Sequence, residues 1–337
     1  MLKWLRWVLL GITLAVVAAG YALWQVQQSF AKPLAIEQTT EFEVAAGQSG
    51  YQVLNTLGRN GWYKADGLLA DYSSQILLKL HPELARIKTG WYELTPGQSL
   101  LDVMRLLVDG KQKQFSVTLV EGGNLREWLA QLRETVGITA EVESPQALAK
   151  ALGIEQDNPE GWFFPSTYQF TKGYSDLRLF KRAHKTLQAH LERVWSERDP
   201  ELPLKSPYEL LILASIIEKE TALDSERDWV AAVFVNRLNK GMRLQTDPTV
   251  IYGLGERYQG DITRAHLHEK TAYNTYRIDG LPPTPISSVS LASLEAAAHP
   301  ADVDYLYFVA NNKGGHTFSK NLADHNKAVR EYLRTRK

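Results

Sequence analysis

Residues 210–228 read LLILASIIEKETALDSERD. The first eight are almost wholly apolar, and two carboxylates, Glu218 and Glu220, follow before polar residues take over. Such a run predicts a core helix over 207–222. The carboxylates are the anomaly, because taking one out of water costs several kcal/mol unless it is paired or protonated. On a wheel of about 100° per residue, Leu210, Leu213, Ala214 and Ile217 centre one face, and Ser215 and Lys219 mark the opposite, solvated side. Glu218 falls between Ala214 and Leu211, and Glu220 between Ile216 and Leu213. The two are roughly 160° apart, so they cannot form an adjacent acid–base pair, and we expect one to be chemical and one structural. Glu218, with Ala214 and Leu211 one turn back, is the chemical candidate: desolvation raises a carboxyl pKa, as a general acid at neutral pH requires. From spacing alone, an ion pair with Arg227 or Arg237 explains Glu218 equally well. For Glu220 an ion pair is the favoured reading.

The surrounding sequence predicts helices at 126–136, 145–152, 175–196 and 225–240, the last closed by Gly241. A helix at 291–298, a strand at 305–311 and a helix at 321–335 follow. Between them, 243–290 reads as loop-rich and aromatic-rich, and long loops in a compact domain are usually functional. These elements define an α+β domain with a helical core over 116–337. In its loops, Tyr273, Asn274 and Tyr276 offer the amide donors and ring faces that carbohydrate recognition uses, and His316 sits in a Gly-rich turn. A lone histidine is more often structural than catalytic.

Upstream, a motif recurs. Phe42 begins FEVAAGQSGYQVLNTL and Tyr92, 50 residues on, begins YELTPGQSLLDVMRLL. Val117 begins a looser third copy, VTLVEGGNLREWLAQL. Each predicts a short strand, a Gly turn, an N-cap (Ser49, Ser99, Asn124) and an amphipathic helix. The first two copies predict a small β-α module over 31–115. Its strand and G-x-S cap resemble LysM-type glycan-binding modules, although a spacer needs the same turn chemistry.

At the start, 18 residues from Trp7 to Trp24 carry no charge. As a helix they span about 27 Å, close to a bilayer's hydrocarbon core. Tryptophans bracket the run, and Lys3 and Arg6 precede it, so residues 1–30 predict a cytoplasmic stub and a transmembrane anchor with the bulk outside. A cleaved signal peptide ending at Ser29-Phe30-Ala31 is the alternative; the long apolar run favours the anchor. In a Gram-negative cell the compartment is the periplasm.

Composition narrows the function. Lys plus Arg and Asp plus Glu number 38 each, and there is no basic stripe, so no nucleic-acid partner is expected. The absence of cysteine removes disulfides, thiolate metal sites, cysteine nucleophiles and a lipobox. Among eight histidines no tight ligand pair occurs, and His266 and His268 are a weak metal signal. No metal or cofactor is expected. Nine Trp and fifteen Tyr are enough to furnish the core and leave some rings as stacking platforms for sugar.

Taken together, LLILASIIEKETA, RLQTDPTVIYGLG, TAYNTYRIDGLPP, AAAHPADVDYLYFVA, GGHTFSKNLADHNKAV and EGWFFPSTY resemble the MltG (YceG-like) endolytic murein transglycosylase family. The resemblance covers the whole chain. It implies non-hydrolytic cleavage of the MurNAc–GlcNAc β-1,4 bond in nascent glycan strands, with 1,6-anhydro ends, beside the peptidoglycan synthases at the inner membrane. It implies that the catalytic glutamate of the S-I-x-E-K-E helix is Glu218. For sugar contact we expect Gln245, Asp247, Tyr252, Asn274, Tyr276 and His316. The chain departs from the family at Thr284, Val289 and Ser290, where Gly, Pro and Gly are usual, and at Ser166, where Asp is commoner. Rival readings are a muramidase using a second carboxylate such as Asp247, a non-catalytic peptidoglycan-binding scaffold and, more distantly, a metal-dependent hydrolase.

Overall fold

A computed structural model describes residues 2–335. Met1 of the expected stub, and Arg336 and Lys337 at the end of the expected catalytic domain, lie outside the described residues. The chain is mixed α+β and divides into two compact units, residues 1–115 with 170–172, and 116–169 with 173–337.

The first unit opens with helix α1 (Leu2–Ala31), long and apolar enough to cross a membrane. Strand β1 (Thr40–Val44), helices α2 (Gly50–Arg59) and α3 (Ser73–Leu80), strand β2 (Gly90–Leu94) and helix α4 (Leu100–Asp109) come next. β1 and β2 are antiparallel, with Phe42 directly opposite Tyr92. The sequence repeat is therefore a pseudo-twofold, its axis passing through a pair of equivalent residues. The repeated letters have physical reasons. Phe42, Tyr92, Val53, Val103, Leu57 and Leu107 are buried in one core. Ser49 and Ser99 accept from the backbone N–H groups of Gln52 and Asp102, completing capping boxes. Gln48 and Gln98 accept from the N–H of Ala45 and Thr95 across the turn, where Gly47 and Gly97 adopt positive φ.

The chain continues through β3 (Gln114–Leu119), α5 (Leu125–Glu134), β4 (Ile138–Thr139), α6 (Pro145–Leu152), β5 (Ser166–Thr171), β6 (Tyr174–Ser175) and α7 (Asp176–Glu197), all in the second unit but for the start of β3 and the end of β5. The third repeat copy forms β3 and α5, capped by Asn124 with Glu127. Strands β4, β5, β6 and, further on, a strand at His316–Ser319 were not predicted. The core is α8 (Pro207–Glu220), packed against α9 (Asp224–Asn239), α7 and α12 (Leu291–Ala298). Leu210 to Ile217 are buried on every side of α8, which corrects one expectation: Ser215 is not solvated. Its Oγ accepts from Ile286 N–H at 3.0 Å, and its carbonyl accepts from Ser287 Oγ at 3.2 Å. The 284–290 loop is thus strapped onto the helix face that the wheel left to water.

α8 stops two residues early, at Glu220, because Thr221 turns to extended backbone. The region read as loop contains two short helices, α10 (Asp247–Leu254) and α11 (Arg264–His268). Pro248 lies in the first turn of α10, where its missing N–H costs nothing. A hairpin of β7 (Tyr307–Ala310) and β8 (His316–Ser319) and helix α13 (Leu322–Thr335) complete the unit.

Candidate active site

The two glutamates at the end of α8 face different surroundings. Glu218 is half-buried and points at the N-terminus of α12, where its Oε2 accepts from Ser290 N–H at 3.0 Å and Ser290 Oγ at 2.6 Å. Its charge also reaches Glu121, whose pKa is raised, first by desolvation and then by Glu218. Neither Arg227 nor Arg237 pairs with it. Arg227 binds Asp224. Arg237 donates to the carbonyls of Leu306, Arg243 and Leu244 and to Gln245 Oε1.

Glu220 lies in a cavity of about 420 Å³ whose lining includes Arg237, Gln245, Asp247, Tyr276, Tyr307, Phe308, His325 and Asn326. Glu218 is not among the described residues that line it. The expected ion pair of Glu220 does not form among the described residues: its partner is the Thr246 hydroxyl, which donates to Oε1. Burial therefore pushes the Glu220 carboxyl above the ordinary carboxylate range, and the neighbouring Asp247 charge pushes the same way. The Thr246 hydrogen bond and, less, the nearby His316 oppose the shift. A cavity of this size suits a small ligand, and its mixed wall of rings, amides and carboxyls suits a sugar. Another cavity, of about 400 Å³, is lined by Glu197, Asp224, Arg227, Asp228, Glu295 and His299 with two alanines. Its described lining has no Tyr, Trp or Phe and includes neither Glu218 nor Glu220.

Three of the expected sugar contacts line the Glu220 cavity. Gln245 is held at φ +54°, a conformation that costs a non-glycine residue energy and is held only by surrounding contacts. Its N–H bonds Thr275 O and its side chain meets Arg237. Asp247 starts α10 and accepts from the Tyr276 hydroxyl at 2.7 Å. The others lie elsewhere. Asn274 is 1% exposed; its amide donates to the carbonyls of His266, Leu267 and Glu269, and its Oδ1 accepts from Tyr276 N–H. It is spent on shaping the loop. Tyr252 donates to Glu160 Oε2 at 3.2 Å and accepts from Asn158. His316 is fastened by Glu226, which takes its backbone N–H and its Nδ1. Among the described residues no metal-binding cluster occurs, and His266 serves as a helix cap.

Glu160, which sequence reasoning passed over, is 4% exposed. It takes the N–H of Leu125 at the start of α5, the N–H of Gly161 and the Tyr252 hydroxyl. Desolvation outweighs these bonds and pushes its pKa up to about 7. A carboxyl whose pKa is raised on folding contributes stability below its unfolded pKa and loses it as pH rises through the folded value. Thermal melts are therefore expected to lose about 3 kcal/mol of stability between pH 4.5 and pH 7 from this group. In Glu160→Gln that component disappears, and an unchanged pH slope would refute it.

Motif order and the mixed α+β fold point to one class, the murein transglycosylases. Residues 42–331 match the YceG-like family. The chain is 30% identical over 319 residues to the endolytic murein transglycosylase of Bacillus subtilis, covering 88% of this chain and 85% of that one. It is 25% identical to the endolytic murein transglycosylase of Streptococcus pneumoniae, covering 87% of this chain and 58% of that one. A crystal structure of a YceG-like protein from Listeria monocytogenes superposes with a TM-score of 0.54 at 30% identity, covering 87% of this chain and 99% of that one. The chain belongs to the YceG-like family.

Proposed function

We propose that the chain is an endolytic murein transglycosylase in which Glu220 is the proton-transferring acid. The expectation carried over from the family motif put that role at Glu218, two residues away. Glu220 is supported by its lack of an ion-pair partner among the described residues, the upward direction of its pKa and its place in a cavity wide enough for a sugar. Glu218 is taken up by the cap of α12.

In this reading Glu220, protonated, gives its proton to the oxygen bridging MurNAc and GlcNAc. The C–O bond to MurNAc C1 breaks and the GlcNAc hydroxyl leaves. The carboxylate then takes the proton of the MurNAc C6 hydroxyl, whose oxygen closes on C1. Atoms balance without water, and the acid is regenerated. Gln245, Asp247 and Tyr276 hold the sugar. Because the acid must start protonated, cleavage is expected to fall as pH rises through the raised Glu220 pKa. A pH–rate profile on glycan strands measures this, and a rate that climbs with pH over that range would exclude a carboxylic acid donor.

Asp247 shares the cavity, so hydrolysis by two carboxylates is the second reading. Product masses separate the two, since anhydro ends are lighter than reducing ends by one water. We also take α1 as a single-pass inner-membrane anchor with residues 1–6 cytoplasmic and the bulk periplasmic, near the peptidoglycan synthases. Burial of Val26 and Phe30 in the first unit's core supports this, since cleavage after Ala31 would remove part of that core. The first unit, with its β1-α2-α3-β2 order, is read as a LysM-like module that steadies the strand.

A further inference from the structure

We propose that the segment just after Gly67 sits in the interfacial layer of the membrane, fastening the first unit to the bilayer at a second point beside α1. This rests on reading α1 as a bilayer span.

α1 is unbroken from Leu2 to Ala31. Its apolar run ends at Trp24, yet Val26 and Phe30, two and six residues further and one turn apart, are fully buried in the core of the first unit. No linker separates span from unit, so the unit is fixed in height against the bilayer. The level of the bilayer surface is marked by Gln25, the first polar residue after the run. Gly67 lies against it: a Cβ at Gly67 would stand 2.5 Å from Gln25 Oε1, and the glycine's φ is +92°. The chain thus comes to the span at the height where hydrocarbon gives way to headgroups.

The side chains just past Gly67 suit that layer. Leu68 is 89% exposed and Tyr72 is 61% exposed, while Leu69 between them packs on the core. Trp24 and Tyr21 stack on α1 and are more than half exposed. Aromatic rings favour the interface, and a leucine gains by leaving water there. The local charges cancel. Lys32 pairs with Asp66, and Lys64 is balanced by Asp71. The surface therefore suits an apolar interfacial layer rather than a polyanion.

The chain has no cysteine, so single-cysteine variants of the full-length protein can be labelled cleanly. Leu68→Cys, Val16→Cys in the span and Asp261→Cys in the second unit would each carry an environment-sensitive fluorophore in phosphatidylcholine vesicles. Lipid-borne and aqueous quenchers are then compared. The label at 68 is expected to be quenched several-fold more by the lipid-borne quencher than the label at 261, approaching the label at 16. A label at 68 that behaves like the one at 261 while the one at 16 reports lipid would overturn the proposal and leave the span standing. If the label at 16 is also aqueous, the span reading falls, and the proposal with it.

Discussion

Glu220→Gln is expected to lower the release of anhydro-muropeptides from glycan strands by about 10³-fold, within the range for removing a positioned general acid. The fold should persist, because the amide still offers Thr246 an acceptor. Glu218→Gln is expected to keep most of the activity, since an amide oxygen still accepts from Ser290. The family motif carried onto Glu218 predicts the converse. The two variants, assayed side by side with melting curves, decide between Glu218, which the sequence reading favoured, and Glu220. Loss of activity in Glu218→Gln with an unchanged melt would return the role to Glu218.

The second large effect concerns a residue expected to touch sugar. Asn274→Ala should lower stability by about 2–4 kcal/mol, because a fully buried amide that donates to three part-buried carbonyls is lost and a backbone N–H loses its acceptor. For a domain of this size that is a fall of several degrees in Tm. A sugar-contact role predicts an undiminished Tm with a raised KM, and calorimetry beside kinetics separates the two. Tyr276→Phe is the natural contrast, since it removes only the hydroxyl that Asp247 accepts.

Local signals carried much of the fold. The repeat at Phe42 and Tyr92 encodes its own turns and caps within a few residues, so its elements were legible. The apolar run 210–217 could only be a core helix. The loop-rich region was read less well. Pro248 reads as a turn residue as readily as the first residue of a helix, and α10 is too short for its period to declare itself. β5 and β6 escaped because short strands at six and two residues carry little alternation.

At the site, the limit was angular. The wheel put Glu218 and Glu220 on opposite flanks of one apolar face, correctly apart, but was blind to what stood beside each flank. It assigned Ser215 to water, whereas the 284–290 loop covers it. Arg237 looked like a partner for an acid; its donors are instead taken by the Leu306 carbonyl, 69 residues away in sequence, and by the turn before Gln245. Glu160 offered no local signal, because its partners Leu125 and Tyr252 are 35 and 92 positions distant.

By itself, then, the sequence determined the apolar leader, the twofold β-α repeat, the greasy helix and the presence of two acids at its end. Each depends on contacts within about one turn or one hairpin, where spacing alone dictates geometry. Only the tertiary structure decided which acid is capped by a serine hydroxyl and amide and which is left in a sugar-sized hollow. Solvation and hydrogen bonding of a carboxyl are set by whatever side chains the rest of the chain brings within a few ångströms, and those come from remote segments.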